Sequence, residues 1–79
     1  MDWREFIEQR PDVMLGKPVI KGTRLTVQLI LERLGDGWSA EDILAAYPGL
    51  RTEHLQAAQN YAAAYLALDD SVFADLGAR

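Results

Sequence analysis

Prolines and glycines divide this chain into short segments, and their positions limit the secondary structure that it can form. Within residues 1–50 the breakers are Pro11, Gly16, Pro18, Gly22, Gly35, Gly37, Pro48 and Gly49. Glycine commonly ends helices, and proline disfavours helical backbone in the residue before it. Long apolar patterns therefore fit only after Gly22, Gly37 and Gly49. With 79 residues in all, the chain has room for one core.

The first two helices are predicted from their caps as well as from their apolar residues. Thr26 is a suitable N-cap, and the stripe after it has helical spacing and ends at residues 35–37; it consists of Val27, Ile30, Leu31 and Leu34. Ser39 and Asp42 then form a capping-box pattern, which predicts a second, short helix that stops before Pro48.

The third helix is predicted over residues 52–68 and is apolar on two sides. One stripe consists of Leu55, Ala58, Ala62, Tyr65 and Leu66, and the other of Ala57, Tyr61, Ala64 and Leu68. A helix that is apolar over this much of its circumference needs two partners. We expect one stripe to lie in the core and the other to contact a second copy of the chain.

The N-terminal third is predicted to lack a long helix. The spacing of Trp3, Phe6 and Ile7 indicates a short helical turn within residues 1–11. In residues 12–26, short apolar runs at 13–15 and 19–20 lie between breakers, which predicts an extended β arm or a small hairpin. Because an isolated hairpin is marginally stable, this arm must lie on the helices or pair with another chain.

Two short helices joined by a tight turn to a longer third helix form the layout of a helix-turn-helix unit. The predicted fold is therefore mainly α, a three-helix helix-turn-helix bundle with an N-terminal extended β arm or small hairpin. Residues 1–11 form a helical turn, residues 12–68 the arm and the bundle, and residues 69–79 an acidic tail. The tail is either a frayed end or a short helix that orders on a partner. A plain three-helix bundle is the alternative.

Composition and charge exclude several classes of protein. The chain has no cysteine and one histidine, so we expect no disulfide, no metal site and no cofactor. No secretory signal or membrane-spanning run is present in the sequence, which favours the cytoplasm. The net charge is −4, but it is unevenly placed. Residues 1–34 hold six basic against five acidic side chains, and residues 35–79 hold two against seven.

The candidate DNA contacts lie on the third helix and on the arm. Gln56, Gln59 and Asn60 lie on the predicted solvent face, and glutamine and asparagine can bind adenine edges through two hydrogen bonds. No basic residue lies within residues 52–68, so phosphate contacts would come from other positions, namely Lys17, Lys21, Arg24, Arg51 and the helix start at Thr52. The alternative explanation of the basic charge of the arm is that its lysines keep an extended edge soluble.

No catalytic constellation is evident. Glu41 and Asp42 are adjacent and serve a helix start, while Glu53 and His54 are neighbours that point in different directions on a helix. The glycines of the arm do not form a phosphate loop, because Gly22 is not followed by the Lys-Ser/Thr that such a loop requires. We therefore expect a protein that is not an enzyme.

The stretch from residue 16 to residue 65 resembles domain-of-unknown-function family 433 (DUF433), whose members are regarded as antitoxins. The arm match falls on Gly16, Lys17, Pro18, Gly22, Thr23 and Arg24, and the turn match on Tyr47, Pro48 and Leu50. The resemblance implies a homeodomain-like helix-turn-helix with a β arm. It also implies a PIN-like nuclease toxin as the partner. Members often carry glycine where Leu15 stands and begin the last helix with Thr followed by acids, where this chain has Arg51 and Thr52.

These observations predict a homodimeric type II antitoxin that neutralises a PIN-like toxin and autoregulates its operon. The predicted dimer interface consists of Val19, Ile20, Tyr61, Ala64 and Leu68. The predicted toxin-binding residues are Val72, Phe73, Leu76 and Arg79 in the tail. A stand-alone DNA-binding transcription regulator and a protein-interaction module without DNA binding are the two alternatives.

Overall fold

The computed structural model of the chain describes residues 1–68. It confirms a mainly helical fold with three helices and a small N-terminal hairpin. The strands are β1 (Ile7–Glu8) and β2 (Val19–Ile20), and the helices are α1 (Val27–Gly35), α2 (Ala40–Ala46) and α3 (Thr52–Leu68). Single 3-10 turns cover Trp3–Glu5 and Met14–Gly16. Within the described residues, no helix has the length and hydropathy needed to cross a membrane.

The hairpin differs from the predicted arm in its first strand. Ile7 pairs with Ile20 and Glu8 with Val19 in antiparallel register, so residues 13–15 are not the partner of β2. The predicted N-terminal helical turn is reduced to Trp3–Glu5, where the Asp2 carboxylate accepts a hydrogen bond from the Arg4 N–H at 3.0 Å. Ile7 is only 6% exposed, so its burial draws the chain out of that turn and into β1.

Residues 14–16 form a turn with left-handed backbone. Met14, Leu15 and Gly16 have φ values of 48°, 59° and 80°. Left-handed backbone is costly for residues with a Cβ atom and free of that cost for glycine. The Gln9 side chain donates to the Gly16 carbonyl at 3.0 Å, which connects the turn to the end of β1. The departure from the family pattern at Leu15 therefore falls on a backbone conformation that favours glycine.

Replacing Leu15 with glycine is expected to raise the free energy of unfolding by about 0.5–1 kcal/mol, because the left-handed strain is removed. No packing is lost, since Leu15 is 94% exposed. Urea unfolding followed by circular dichroism measures the change, and Leu15→Ala, which retains the Cβ atom, is the matched control. A loss of stability in Leu15→Gly would contradict the assignment of strain to this residue.

The helix starts follow the predicted caps. Thr26 Oγ1 accepts from the Leu29 N–H at 3.0 Å at the start of α1. At the start of α2, Ser39 Oγ accepts from the Asp42 N–H at 3.0 Å, and Asp42 Oδ2 accepts from the Ser39 N–H at 2.9 Å. Hydrogen bonding of the Asp42 carboxylate, first by the Ser39 N–H and then by the Ser39 side chain, holds the pKa of Asp42 below its usual value. The residues of α3 are those predicted.

The core lies between the hairpin, α1, α2 and the first half of α3. Its buried residues are Ile7, Val19, Ile20, Val27, Ile30, Ile43, Leu50, Leu55, Ala57 and Ala58. The buried members of the predicted stripes of α3 are Leu55, Ala57 and Ala58, all in the first half of the helix. Beyond it, Tyr65 and Leu66 are 58% and 55% exposed, and Leu68 is 90% exposed. The second half of α3 therefore extends past the core with apolar side chains in solvent.

Candidate nucleic-acid interface

The turn between α2 and α3 is held by the core on one side. Tyr47 ends α2, and its carbonyl accepts from the Leu50 N–H at 2.9 Å. Leu50 is 5% exposed and Ile43 is fully buried, so the chain is anchored in the core both at the turn and in the helix before it. The helix-turn-helix unit is thus fixed by side chains that face away from solvent.

The start of α3 has a cap that the sequence pattern did not reveal. His54 Nδ1 accepts a hydrogen bond from the Arg51 N–H at 2.9 Å, which satisfies a backbone donor at the helix start. The ring of Phe6 packs edge-on to His54 with centroids 5.9 Å apart. Partial burial lowers the pKa of His54, the Arg51 charge lowers it further, and Glu53 partly offsets both effects. His54 is therefore the neutral acceptor of this cap.

Lowering the pH is expected to reduce the stability of the folded protein through protonation of His54. The folded-state pKa of His54 lies below the ordinary value of 6.5. The contribution of neutral His54 to the stability of the fold is therefore complete above pH 6.5 and is lost as pH falls through the folded-state pKa. We expect a lower urea midpoint at pH 5.5 than at pH 7.5 and a smaller difference in His54→Asn, whose side-chain oxygen can accept the same bond. Equal pH dependence in both proteins would exclude His54 as the cause.

The solvent face of α3 carries uncharged polar side chains beside the exposed carboxylate of Glu53. Thr52, Gln56, Gln59 and Asn60 are exposed, whereas Leu55 and Ala58 face the core. Asn60 is partly engaged, since its side-chain amide donates to Met1 Sδ at 3.4 Å. The side chains of Gln56 and Gln59 make no hydrogen bond within the described residues. This face matches the predicted contact face for bases.

The N-terminal segment covers one flank of α3. The rings of Trp3 and Tyr61 meet edge to face with centroids 4.9 Å apart. This contact partly buries Tyr61 of the second predicted stripe against the same chain, and Phe6 packs nearby on His54. Tyr61 is therefore only partly available to a second copy.

The loop between β2 and α1 presents two cations on a rigid backbone. Gly22 has a φ of 77°, which favours glycine, and its N–H donates to Glu8 Oε2 at 3.3 Å. Thr23 Oγ1 donates to the Ile20 carbonyl at 2.8 Å and accepts from the Leu25 N–H at 3.0 Å. The glycine and the threonine of the family pattern thus have structural roles. The exposed charges of this loop are Lys21 and Arg24.

Lys21 and Arg24 differ from most other cations of the protein in their surroundings. Neither has a carboxylate within 4.0 Å among residues 1–68. Arg51, in contrast, lies 3.5 Å from a Glu53 oxygen, so its charge at the start of α3 is partly offset. Arg4 and Arg10 are likewise paired, with Asp2 and Asp12 respectively. Lys21 and Arg24 are therefore the strongest candidates for phosphate contacts.

Lys17 lies against α1, apart from the other two predicted arm cations. Its ammonium donates to Gln28 Oε1 on α1 at 3.3 Å, and it lines a groove that also includes Tyr65. Tyr65 lies about 180° around α3 from Gln56 at about 3.6 residues per turn. The lysine therefore lies nearer to Tyr65 than to Gln56, and its assignment as a phosphate contact stays a prediction.

The predicted dimer interface is corrected at two of its residues. Val19 and Ile20 are both 0% exposed, because β2 lies inside the fold, so neither side chain can contact another copy. Leu68 is exposed, whereas Tyr61 and Ala64 are partly buried. The predicted toxin-binding residues, Val72, Phe73, Leu76 and Arg79, lie outside the described residues.

An apolar groove between α1 and the second half of α3 was not predicted. Its volume is about 710 Å³, and its apolar lining includes Pro18, Leu31, Tyr61, Ala62, Tyr65 and Leu66. The sequence signal was present in the stripe that contains Tyr65 and Leu66, but that stripe was assigned to the core. No group of three or more histidine, aspartate or glutamate side chains that could hold a metal ion occurs in residues 1–68.

Comparison with known proteins identifies the family. The family model described as "Protein of unknown function (DUF433)" matches residues 7–62. The chain belongs to the DUF433 family. A crystal structure of a DUF433 member protein from Anabaena variabilis ATCC 29413 has a TM-score of 0.69 and 29% sequence identity, over 92% of this chain and 68% of that one.

The DUF433 match also extends to a longer protein. The chain is 38% identical over 61 residues to "Uncharacterized protein y4eO" of Sinorhizobium fredii (strain NBRC 101917 / NGR234). The match covers 77% of this chain but 28% of that relative. The chain therefore matches less than a third of the length of that relative.

Proposed function

We propose that this DUF433 protein is a cytoplasmic, non-enzymatic antitoxin that binds operator DNA through α2 and α3 and neutralises a PIN-like nuclease toxin by direct contact. One observation carries the DNA-binding half of the proposal. The exposed face of α3 offers the side chains of Gln56 and Gln59, which make no hydrogen bond to residues 1–68, on a helix whose preceding turn is anchored in the core by Leu50.

The contacts with DNA follow from the chemistry of these side chains. A helix in the major groove meets base edges, and each glutamine can donate to and accept from adenine. The backbone N–H groups at the start of α3, near Thr52, suit a phosphate. Lys21 and Arg24 add positive charge on a loop whose backbone is already fixed, so little entropy is lost on binding.

The excess of acidic side chains limits the affinity that we expect for DNA. Residues 1–68 hold seven basic and nine acidic side chains, so long-range attraction to DNA is weak. Binding then depends on local phosphate contacts by Lys21, Arg24 and Arg51. With three such contacts in each of two protomers, log K should fall with log salt with a slope of about −5.

Support for the toxin-binding half comes from the family resemblance rather than from geometry. The candidate residues are Val72, Phe73, Leu76 and Arg79, which combine apolar side chains with a terminal cation. Removal of residues 69–79 should abolish neutralisation of the co-encoded toxin and leave DNA binding intact. Unchanged neutralisation would exclude the tail as the inhibitory segment.

Substitutions should separate phosphate contacts from base contacts. Lys21→Ala and Arg24→Ala are each expected to weaken binding to the DNA upstream of the gene and to unrelated DNA equally. Each should reduce the steepness of the salt slope by about 2, because one phosphate contact is lost in each of the two protomers. Gln56→Ala is expected to reduce the preference for the upstream DNA and leave the slope unchanged. Fluorescence anisotropy at several salt concentrations measures all three, with the paired and exposed Arg10→Ala as control.

The apolar groove favours a second candidate function, a protein-interaction module without DNA binding. The two functions predict different results in the same titrations. Affinity that is undetectable, or independent of salt and of DNA sequence, would reject the proposed operator binding. Toxin binding by the same preparation would then support the interaction module.

A further inference from the structure

The groove between α1 and α3 carries charges as well as apolar side chains. Lys17 Nζ donates to Gln28 Oε1 at 3.3 Å, and Gln28 Nε2 donates to Glu32 Oε2 at 3.4 Å. All three residues line the groove and are exposed. They form a row with a cation at one end, a neutral amide in the middle and an anion at the other end.

This row is complementary to its own copy. A two-fold axis through Gln28 would place Lys17 of each protomer opposite Glu32 of the other, and the two amides opposite each other. Neither Lys17 nor Glu32 has an ion-pair partner among residues 1–68. Two-fold interfaces bring the same patch together from both chains, so a patch of this kind suits that symmetry.

The apolar part of the groove fits the same arrangement. Tyr65 and Leu66 lie along it with more than half of their surface exposed, and the groove volume of about 710 Å³ can accept side chains of a neighbour. Ala62 at the same wall permits close approach of a second helix. Burial of Tyr65 and Leu66 in this way would remove the largest apolar exposure next to the charged row.

We propose that this groove is the contact surface for a second copy of the chain, with reciprocal Lys17–Glu32 pairs across a two-fold axis. The inference deepens the proposed function, since reading of two DNA half-sites needs a dimer. The contact surface is then the groove-lining side chains of α1 and of the second half of α3, in place of the buried strand β2. Its test uses neither DNA nor toxin, so the two proposals can fail independently.

Reciprocal charge reversal tests the pairing. Wild-type protein should sediment as a dimer of the 8.8 kDa chain at tens of micromolar, whereas Lys17→Glu and Glu32→Lys should each dissociate at least about tenfold more readily. An equimolar mixture of the two variants should restore the dimer, because each heterodimer regains both opposite-charge pairs. Glu41→Lys, an exposed reversal on α2 outside the groove, is the control and should sediment like wild type.

A second variant tests the apolar part of the surface. Leu66→Asp should weaken the dimer at every salt concentration, whereas high salt should partly restore dimers of the two charge variants. Circular dichroism should show that each variant remains helical. A monomeric wild-type protein, charge variants that dimerise like wild type, or a mixture that stays monomeric would each overturn the inference. A monomer that still binds its operator would overturn this surface alone.

Discussion

Replacing Ile20 with alanine is expected to lower the free energy of unfolding by about 3 kcal/mol. Ile20 is 0% exposed, pairs with Ile7 in the hairpin and belongs to the same buried cluster as Ile30 and Ile43. Its removal leaves a cavity where the hairpin meets the helices. Since domains of this size are stable by only about 5–15 kcal/mol, the variant should be close to unfolding at moderate temperature.

Leu15→Ala is the matched control for Ile20→Ala, since both residues are aliphatic and precede α1. Leu15 is 94% exposed, so its truncation should change the stability by less than about 0.5 kcal/mol. Urea titration followed by circular dichroism measures both values. Similar losses in the two variants would mean that the segment before α1 does not rest on the core as described.

Replacing Ala58 with leucine is expected to cost about 2–3 kcal/mol, because the larger side chain has no space where α3 enters the core. Ala58 is 0% exposed and lies in the buried cluster with Leu55 and Ala57. Leucine and alanine have similar helix propensities, so the loss would come from packing rather than from the helix itself.

Ala63→Leu provides the control for Ala58→Leu, because Ala63 is exposed on the same helix. Thermal unfolding should show a drop of roughly 10 °C or more for Ala58→Leu and little change for Ala63→Leu. A small effect at Ala58 together with a large one at Ala63 would mean that α3 turns a different face to the core.

The helix boundaries could be predicted from the sequence because their determinants are local. Thr26 caps α1 through a residue three positions away, and Ser39 and Asp42 cap α2 across the same separation. The start of α3 at Thr52 was also predicted, but the His54 cap was not, because histidine is an unusual acceptor at that position. Local hydrogen bonds of this kind leave a pattern in neighbouring residues.

The hairpin and the candidate interface depended on contacts distant in sequence. Ile7 pairs with Ile20 although its spacing from Trp3 indicated a helical turn. Lys17 was grouped with Lys21 by proximity and charge, yet it lies against Gln28 and a groove on the far side of α3 from Gln56. Which cations share a surface is set by the packing of whole elements, and a charge pattern does not contain that information.

The sequence by itself determined the three helices, the caps of α1 and α2 and the polar face of α3, since each depends on residues within about one turn of one another. Only the tertiary structure decided that β2 is buried, that Trp3 and Phe6 cover one flank of α3, and that Tyr65 and Leu66 remain in solvent. The physical reason is that an apolar stripe specifies a need for burial but not the partner. The turn at Trp3–Glu5, α1 and α2 cover only part of α3, and the groove lies between its uncovered second half and α1.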